Sequence, residues 1–205
     1  MITLLVGPNE EKFVVHGTQL KSTSDFFVAA LKKEWAEGQE RTVKLPEEDP
    51  TMLTHYLAFA YDGSISDVKA IPEPFEDCEA LQDHFTHLCN LYLVGERLQD
   101  KNIRNRIIDK FFELTRLSDS DNCSYYPSGA EAKIIYGGTT AGAPMRRLLI
   151  DTTVATGRES WVDDGDDLDP QWVRDVAKGL LRAVSVYDEL EEFRCEDLTA
   201  EDYYV

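Results

Sequence analysis

Ile2-Thr3-Leu4-Leu5-Val6-Gly7, Phe13-Val14-Val15-His16 and Thr42-Val43-Lys44-Leu45-Pro46 are three short apolar runs inside one stretch, Ile2 to Ile65. Runs this short, rich in β-branched residues and bounded by turn formers, read as strands. Pro8-Asn9-Glu10-Glu11 supplies the turn between the first two. Between the second and third, Leu20-Lys21-Ser22-Thr23-Ser24-Asp25-Phe26-Phe27 opens a helix. Ser24 is its candidate N-cap, and Asp25 lies in the first turn, where the helix dipole favours an anion. Phe26, Phe27, Ala30 and Leu31 repeat at helical spacing over about 24–34. The third strand passes through Glu48-Asp49-Pro50 into a helix that carries Leu53, Tyr56, Leu57, Ala60 and Tyr61 on one stripe, with Gly63 as its C′ residue. The order strand, strand, helix, strand, helix describes a mixed α+β domain with a small three-stranded sheet.

Beyond that stretch the pattern is helical. Residues 64–80 read as an exposed loop with Pro72 and Pro74. A helix over 81–96 repeats apolar residues at Leu81, Phe85, Leu88, Cys89 and Tyr92, and a helix over 101–117 does so at Ile103, Ile107, Ile108, Phe111, Phe112 and Leu114. The short link Arg97-Leu98-Gln99-Asp100 predicts antiparallel neighbours. Residues 118–132 are polar and contain Gly and Pro, so they read as a linker. Lys133-Ile134-Ile135-Tyr136 reads as a short strand or extended segment. Pro144 suits position N1 of a helix stopping at Gly157, and Asp169-Pro170 starts a last helix bearing Trp172, Val173, Val176, Leu180 and Leu181. The domains are thus 1–117, the linker 118–132, and a helical extension with an acidic tail over 133–205.

The 205 residues carry 39 Asp and Glu against 21 Lys and Arg, a net charge of −18, which argues against nucleic acid and anionic membranes as partners. Residues 158–205 hold fifteen acids and five bases, so −10 of that charge lies there. No apolar run approaches the roughly 20 residues of a membrane span. Met1 leads straight into a strand pattern without a basic, apolar leader, so the four cysteines, none in a CxxC pair, read as free thiols in the cytoplasm or nucleus. The sequon Asn122-Cys123-Ser124 would be inert there.

Several clusters invite chemistry and have simpler readings. Cys78, His84, His87 and Cys89 have a zinc composition at poor spacing; Cys89 falls on the apolar stripe and reads as a buried thiol. Asp163-Asp164-Gly165-Asp166-Asp167-Leu168-Asp169 lacks the calcium-loop order and reads as a solvated loop before a capped helix. Gly137-Gly138-Thr139-Thr140-Ala141-Gly142 lacks the Lys-Ser or Lys-Thr of a phosphate loop and reads as a turn. Glu47, Glu48 and Asp49 read as a charge cluster at a helix N-terminus. No GxSxG or HExxH run and no Cys-His pairing emerges, so no catalytic residue, metal or cofactor is expected. Arg146 and Arg147 lie near a helix N-terminus, where cations are unfavourable, which points to carboxylate partners within the chain or on another protein.

Phe13-Val14-Val15-His16, Leu20, Ser22, Phe26-Phe27 and Tyr61-Asp62-Gly63-Ser64-Ile65 together resemble the BTB/POZ domain, over roughly residues 2–117. Pro144-x-Arg146-Arg147-Leu148-Leu149, Ser160-Trp161-Val162 and the Asp169-Pro170 helix look like the C-terminal extension of BTB proteins of filamentous fungi. The resemblance implies a BTB fold, a sheet with a helical bundle, and a buried structural role for His16. It implies a non-enzymatic protein-interaction module, in its sharper form a substrate adaptor for a cullin-3 ubiquitin ligase. The alternative is a scaffold or oligomerisation module in another complex, such as a transcriptional one. In the family a hydrophobic-x-Glu motif docks on the cullin, and Trp35-Ala36-Glu37 occupies that place. Trp is bulkier than the usual residue. An exposed aromatic beside a charge has the makings of a hot spot, whereas a Trp35 covering the core edge would be structural. The chain starts at the strand after the family's swapped N-terminal element, so the resemblance implies no swapped dimer and leaves residues 118–205 to contact a substrate.

Overall fold

A computed structural model describes residues 1–65, 78–117, 124–159, 161, 168–186 and 198–205. The architecture is mixed α+β, and its contacts divide into two units: Met1–Lys69 with Asn90–Ile107, and Ala70–Cys89 with Ile108–Val205. No helix among the described residues is long and apolar enough to cross a membrane.

The first unit holds the three strands as expected. β1 (Ile2–Val6) pairs antiparallel with β2 (Glu11–Val15) and parallel with β3 (Thr42–Leu45), so β1 is central and the other two are edges. Ile2, Leu4 and Val6 alternate into the core, while β2 leaves Val14 exposed. The connection from β2 to β3 carries α1 (Gly17–Thr23), α2 (Asp25–Ala30) and α3 (Ala36–Glu40). Ser24 is the cap anticipated for α2: its Oγ accepts the Phe27 N–H at 3.2 Å and donates to the Leu98 carbonyl. α4 (Pro50–Asp62) is capped by Asp49, whose carboxylate accepts the Met52 N–H at 2.9 Å, and closes on Gly63 in the left-handed region.

Two expectations for this unit need correcting. Tyr61 is exposed and Phe59 takes the buried place, because the Tyr61 hydroxyl turns outward to meet His16. His16 is itself exposed: its backbone N–H donates to that hydroxyl at 2.8 Å, and its Nδ1 lies 3.0 Å away. Its structural role is therefore a surface tie between α1 and α4.

Glu48 also departs from expectation. It is buried, and Arg97 forks onto it with Nε to Oε1 at 2.5 Å and a second guanidinium nitrogen to Oε2 at 2.6 Å. A planar guanidinium matches a carboxylate bidentately. Arg97→Met is expected to lower unfolding stability by about 2 kcal/mol in a denaturant titration, since it strands a buried carboxylate beside a half-exposed partner. An unchanged midpoint would mean that water solvates Glu48 as well as Arg97 does.

α5 (Cys78–Arg97) and α6 (Lys101–Thr115) supply residues to both units. Leu81, Phe85, Leu88, Cys89 and Tyr92 of α5 are buried, as are Ile103, Ile107, Ile108, Phe111, Phe112 and Leu114 of α6, in accord with both stripes. In the second unit Phe85 and Phe111 stack at a tilt, 5.2 Å between centroids. α7 (Gly129–Gly138), α8 (Pro144–Thr156) and α9 (Pro170–Val186) follow, with α9 packed on both α7 and α8. Pro144 and Pro170 open their helices, and Asp169 caps α9 through its Oδ1, which accepts the Gln171 and Trp172 N–H groups at 2.9 Å each. Lys133–Tyr136 is helical and forms no strand. A capping box at Ser128 and Glu131 nucleates α7 and overrides the β-branched pair Ile134-Ile135. α9 buries Trp172 and Ala183 but leaves Val173, Leu180, Leu181 and Val184 exposed, so most of its apolar stripe has no cover among the described residues. The stretch 66–77, the sequon at Asn122 and the run Asp163–Asp167 lie outside the described residues.

Candidate functional site

The segment between α2 and β3 builds a groove on the surface of the first unit. α2 ends at Ala30, and the chain turns through Leu31 to Glu34; the Trp35 N–H donates to the Lys32 carbonyl at 3.1 Å. Trp35 then serves as N-cap of α3 with extended backbone. An indole has no acceptor for the orphan N–H groups of the first turn, so Trp is a poor cap, weaker than Ser or Asp by about 1 kcal/mol. The side chain gains no compensating burial, being 59% exposed. Trp35 is thus an exposed aromatic at a position that capping chemistry does not favour.

Trp35 and Ala36 stand at a groove of about 550 Å³. Phe26, Ala29, Ala30 and Val43 give it an apolar floor, and Glu37, Glu40 and Lys44 supply charge at its margin. The aromatic pair of the sequence is divided by this arrangement. Phe27 is fully buried in the core, while Phe26, edge-to-face with it at 5.2 Å, is half-buried and lines the groove. Val43 and Lys44 come from β3, an edge strand whose outer side carries no partner strand among the described residues. At one end the charge is already matched. Glu10 accepts a hydrogen bond from Lys44 Nζ at 2.7 Å and holds that ammonium above its ordinary pKa. Glu37 forms no ion pair among the described residues and remains on offer beside the indole.

The second unit disposes of the other named residues. Arg146 and Arg147 find their partners inside that unit, and these are carbonyls and tyrosine rings in place of the expected carboxylates. Buried Arg146 donates from Nε to Thr139 Oγ1 at 2.8 Å, from a second guanidinium nitrogen to the Tyr136 carbonyl at 2.9 Å and to the Thr139 carbonyl, and lies 4.2 Å over the Tyr136 ring. It thereby satisfies the C-terminal carbonyls of α7, where a cation is favourable. Arg147 donates to the Asp202 carbonyl and covers the Tyr203 ring at 5.2 Å. Tyr203 in turn donates to Asp151 at 2.9 Å, and burial holds that carboxyl above its usual range. Gly137 and Gly138 belong to the end of α7, and only Thr139–Gly142 form the turn expected before α8.

Cys89 is fully buried, and burial first, then the nearby charge of Glu131, pushes its thiol far up, so it stays protonated and unreactive. Among the described residues no three His, Cys, Asp or Glu side chains converge as a metal site.

Of the residues singled out in the sequence, then, Trp35, Ala36 and Glu37 share one open groove, and Arg146 and Arg147 are absorbed into helix packing. Phe26 and Val43 complete the groove; the spacing of Phe26 beside Phe27 places both on one stripe and conceals their different fates. No protein-family model matches the chain, and no curated protein matches it either.

Proposed function

We propose that residues 1–117 form a BTB/POZ-type interaction module and that the chain is a non-enzymatic substrate adaptor for a cullin-3 ubiquitin ligase, acting in the cytoplasm or nucleus. The observation that carries this reading is Trp35: a large aromatic, 59% exposed, at the edge of an apolar groove with Glu37 beside it. A few anchors, Trp prominent among them, carry most of the binding energy in a protein interface. The strand and helix order of Ile2–Ile65 agrees with the family's pattern and lends the reading further support. In an adaptor residues 118–205 would meet the substrate, and the exposed Val173, Leu180, Leu181 and Val184 of α9 offer apolar surface for it.

The test is binding of the purified chain to the N-terminal region of cullin-3, measured by calorimetry with wild type and Trp35→Ala. A buried interface aromatic contributes about 2 kcal/mol or more, so the substitution is expected to weaken binding at least roughly 30-fold. Folding should survive, because the side chain is exposed. Equal binding by the two proteins removes Trp35 from the interface. No binding by wild type removes the cullin reading and leaves a scaffold role for the same groove.

A further inference from the structure

A second hollow of the first unit has the opposite character. It measures about 420 Å³, and Lys21, Lys33 and Arg41 line it together with Thr18, Gln39 and His16. No Asp or Glu is among its lining residues. That is unexpected in a chain with 39 acids and 21 bases. Among the described residues Lys44, Arg97, Arg104, Lys110 and Lys178 each hold a carboxylate. Lys21, Lys33 and Arg41 form no ion pair among the described residues. We propose that this hollow is a binding site for an acidic peptide segment of a partner protein.

The cations come from separate parts of the chain, and the backbone is specialised to gather two of them. A Cβ at Gly38 would lie 2.0 Å from the Lys32 carbonyl oxygen, so only glycine lets α3 close over the preceding turn. That closure brings Gln39 Nε2 to the Lys33 carbonyl at 3.1 Å and fixes the start of the cationic rim. Arg41 sits at φ 55, ψ 34, the left-handed conformation in which a helix normally ends on glycine or asparagine. Its carbonyl accepts the Thr3 N–H at 2.8 Å, which ties this strained residue to β1. A non-glycine residue held in a sparsely populated conformation points to a function for its side chain.

The donor set defines the ligand. Two ammonium groups and a guanidinium, with hydroxyl and amide neighbours, offer donors at several separate points. Each exposed charge pair is worth little alone, so a single small anion would be held weakly, and several carboxylates on one segment are needed for useful affinity. The hollow has room for more than one side chain. It shares no lining residue with the Trp35 groove, although both draw on residues 31–44. The two sites are therefore separable by mutation.

The experiment is fluorescence anisotropy of a labelled hexaglutamate peptide with the full chain at about 20 mM salt and again at about 0.5 M, where exposed charges are largely screened. Binding is expected at low salt and loss at high salt. Lys33→Glu with Arg41→Glu is expected to weaken it at least roughly tenfold. The control pair Lys12→Glu with Lys101→Glu changes the net charge equally outside the hollow and is expected to leave it within about twofold. Arg41→Gly guards against misfolding: it relieves the left-handed strain, so it should keep the thermal midpoint while weakening the peptide. Trp35→Ala should leave hexaglutamate binding intact, so failure of the cullin reading does not touch this one. The proposal is overturned by absence of peptide binding at low salt, by equal losses in the control pair, or by full binding to Arg41→Gly. It is overturned too if inorganic phosphate or vesicles of anionic lipid bind through Lys33 and Arg41 and hexaglutamate does not.

Discussion

Replacing Glu131 by alanine is expected to lower stability by about 4 kcal/mol and the thermal midpoint by roughly 10 °C. The carboxylate is fully buried in the second unit, and four donors converge on it. Oε2 accepts the Gln82 side chain at 2.5 Å, the Ser128 N–H at 2.8 Å and the Ser128 hydroxyl at 2.9 Å, and Oε1 accepts the Thr86 hydroxyl at 2.6 Å. No lysine or arginine is among these partners; the anion is held by aligned donors and by its place in the first turn of α7. Alanine would leave part-buried donors without their acceptor, each at about 1–3 kcal/mol, and would open a cavity. Glutamine is the informative companion. It keeps the shape but turns an NH₂ group toward donors, so it should recover only about half of the loss. Calorimetric melting of the two variants decides the matter. A midpoint for Glu131→Ala within about 2 °C of wild type would show that water or a rearranged Ser128 replaces the carboxylate.

That same network shows where sequence reading succeeds and where it stops. Ser128-x-x-Glu131 is a capping-box spelling, legible in the residues themselves, and it marks the start of a helix. Reading Lys133–Tyr136 as extended gives weight to the isoleucine pair and passes over that signal. Caps elsewhere are legible because their chemistry is local: Ser24, Asp49, Asp169 and the N1 prolines Pro50, Pro144 and Pro170 all act within three residues of themselves. The stripes of α5 and α6 are legible because a buried helix face repeats along one element. Glu48 is not, since its partner Arg97 lies 49 positions away and only tertiary folding unites them. The cationic hollow is hidden for the same reason, its three charges being spread from Lys21 to Arg41. Trp35 is legible as a position, from its place after the Phe26–Leu31 run, but its exposure is not. Whether an aromatic at the end of a helix turns inward depends on the tertiary space around it, and here the indole stays 59% exposed at the groove.

A comparable loss, about 3–4 kcal/mol, is expected for Asp100→Ala in the first unit. Asp100 is fully buried and closes the link between α5 and α6. Its Oδ1 caps α6, accepting the Asn102 N–H at 3.0 Å and the Ile103 N–H at 3.3 Å. Its Oδ2 accepts the Tyr56 hydroxyl at 3.0 Å, from the buried face of α4. Burial, and then the charge of Asp100, push that phenol well above its ordinary range, in keeping with Tyr56 as the donor. Losing the cap costs about 1 kcal/mol, and the stranded hydroxyl and amides account for the rest. The coupling can be isolated. Tyr56→Phe removes the donor and should cost about 1 kcal/mol, because it leaves a carboxylate still held by two amides. With Asp100→Ala already in place, the stranded hydroxyl becomes a liability, and the added Tyr56→Phe should restore about 1–2 kcal/mol of stability. Denaturant titrations of the wild type, both single variants and the double variant measure that term. Strict additivity would separate Tyr56 from Asp100 energetically and reduce Asp100 to a helix cap.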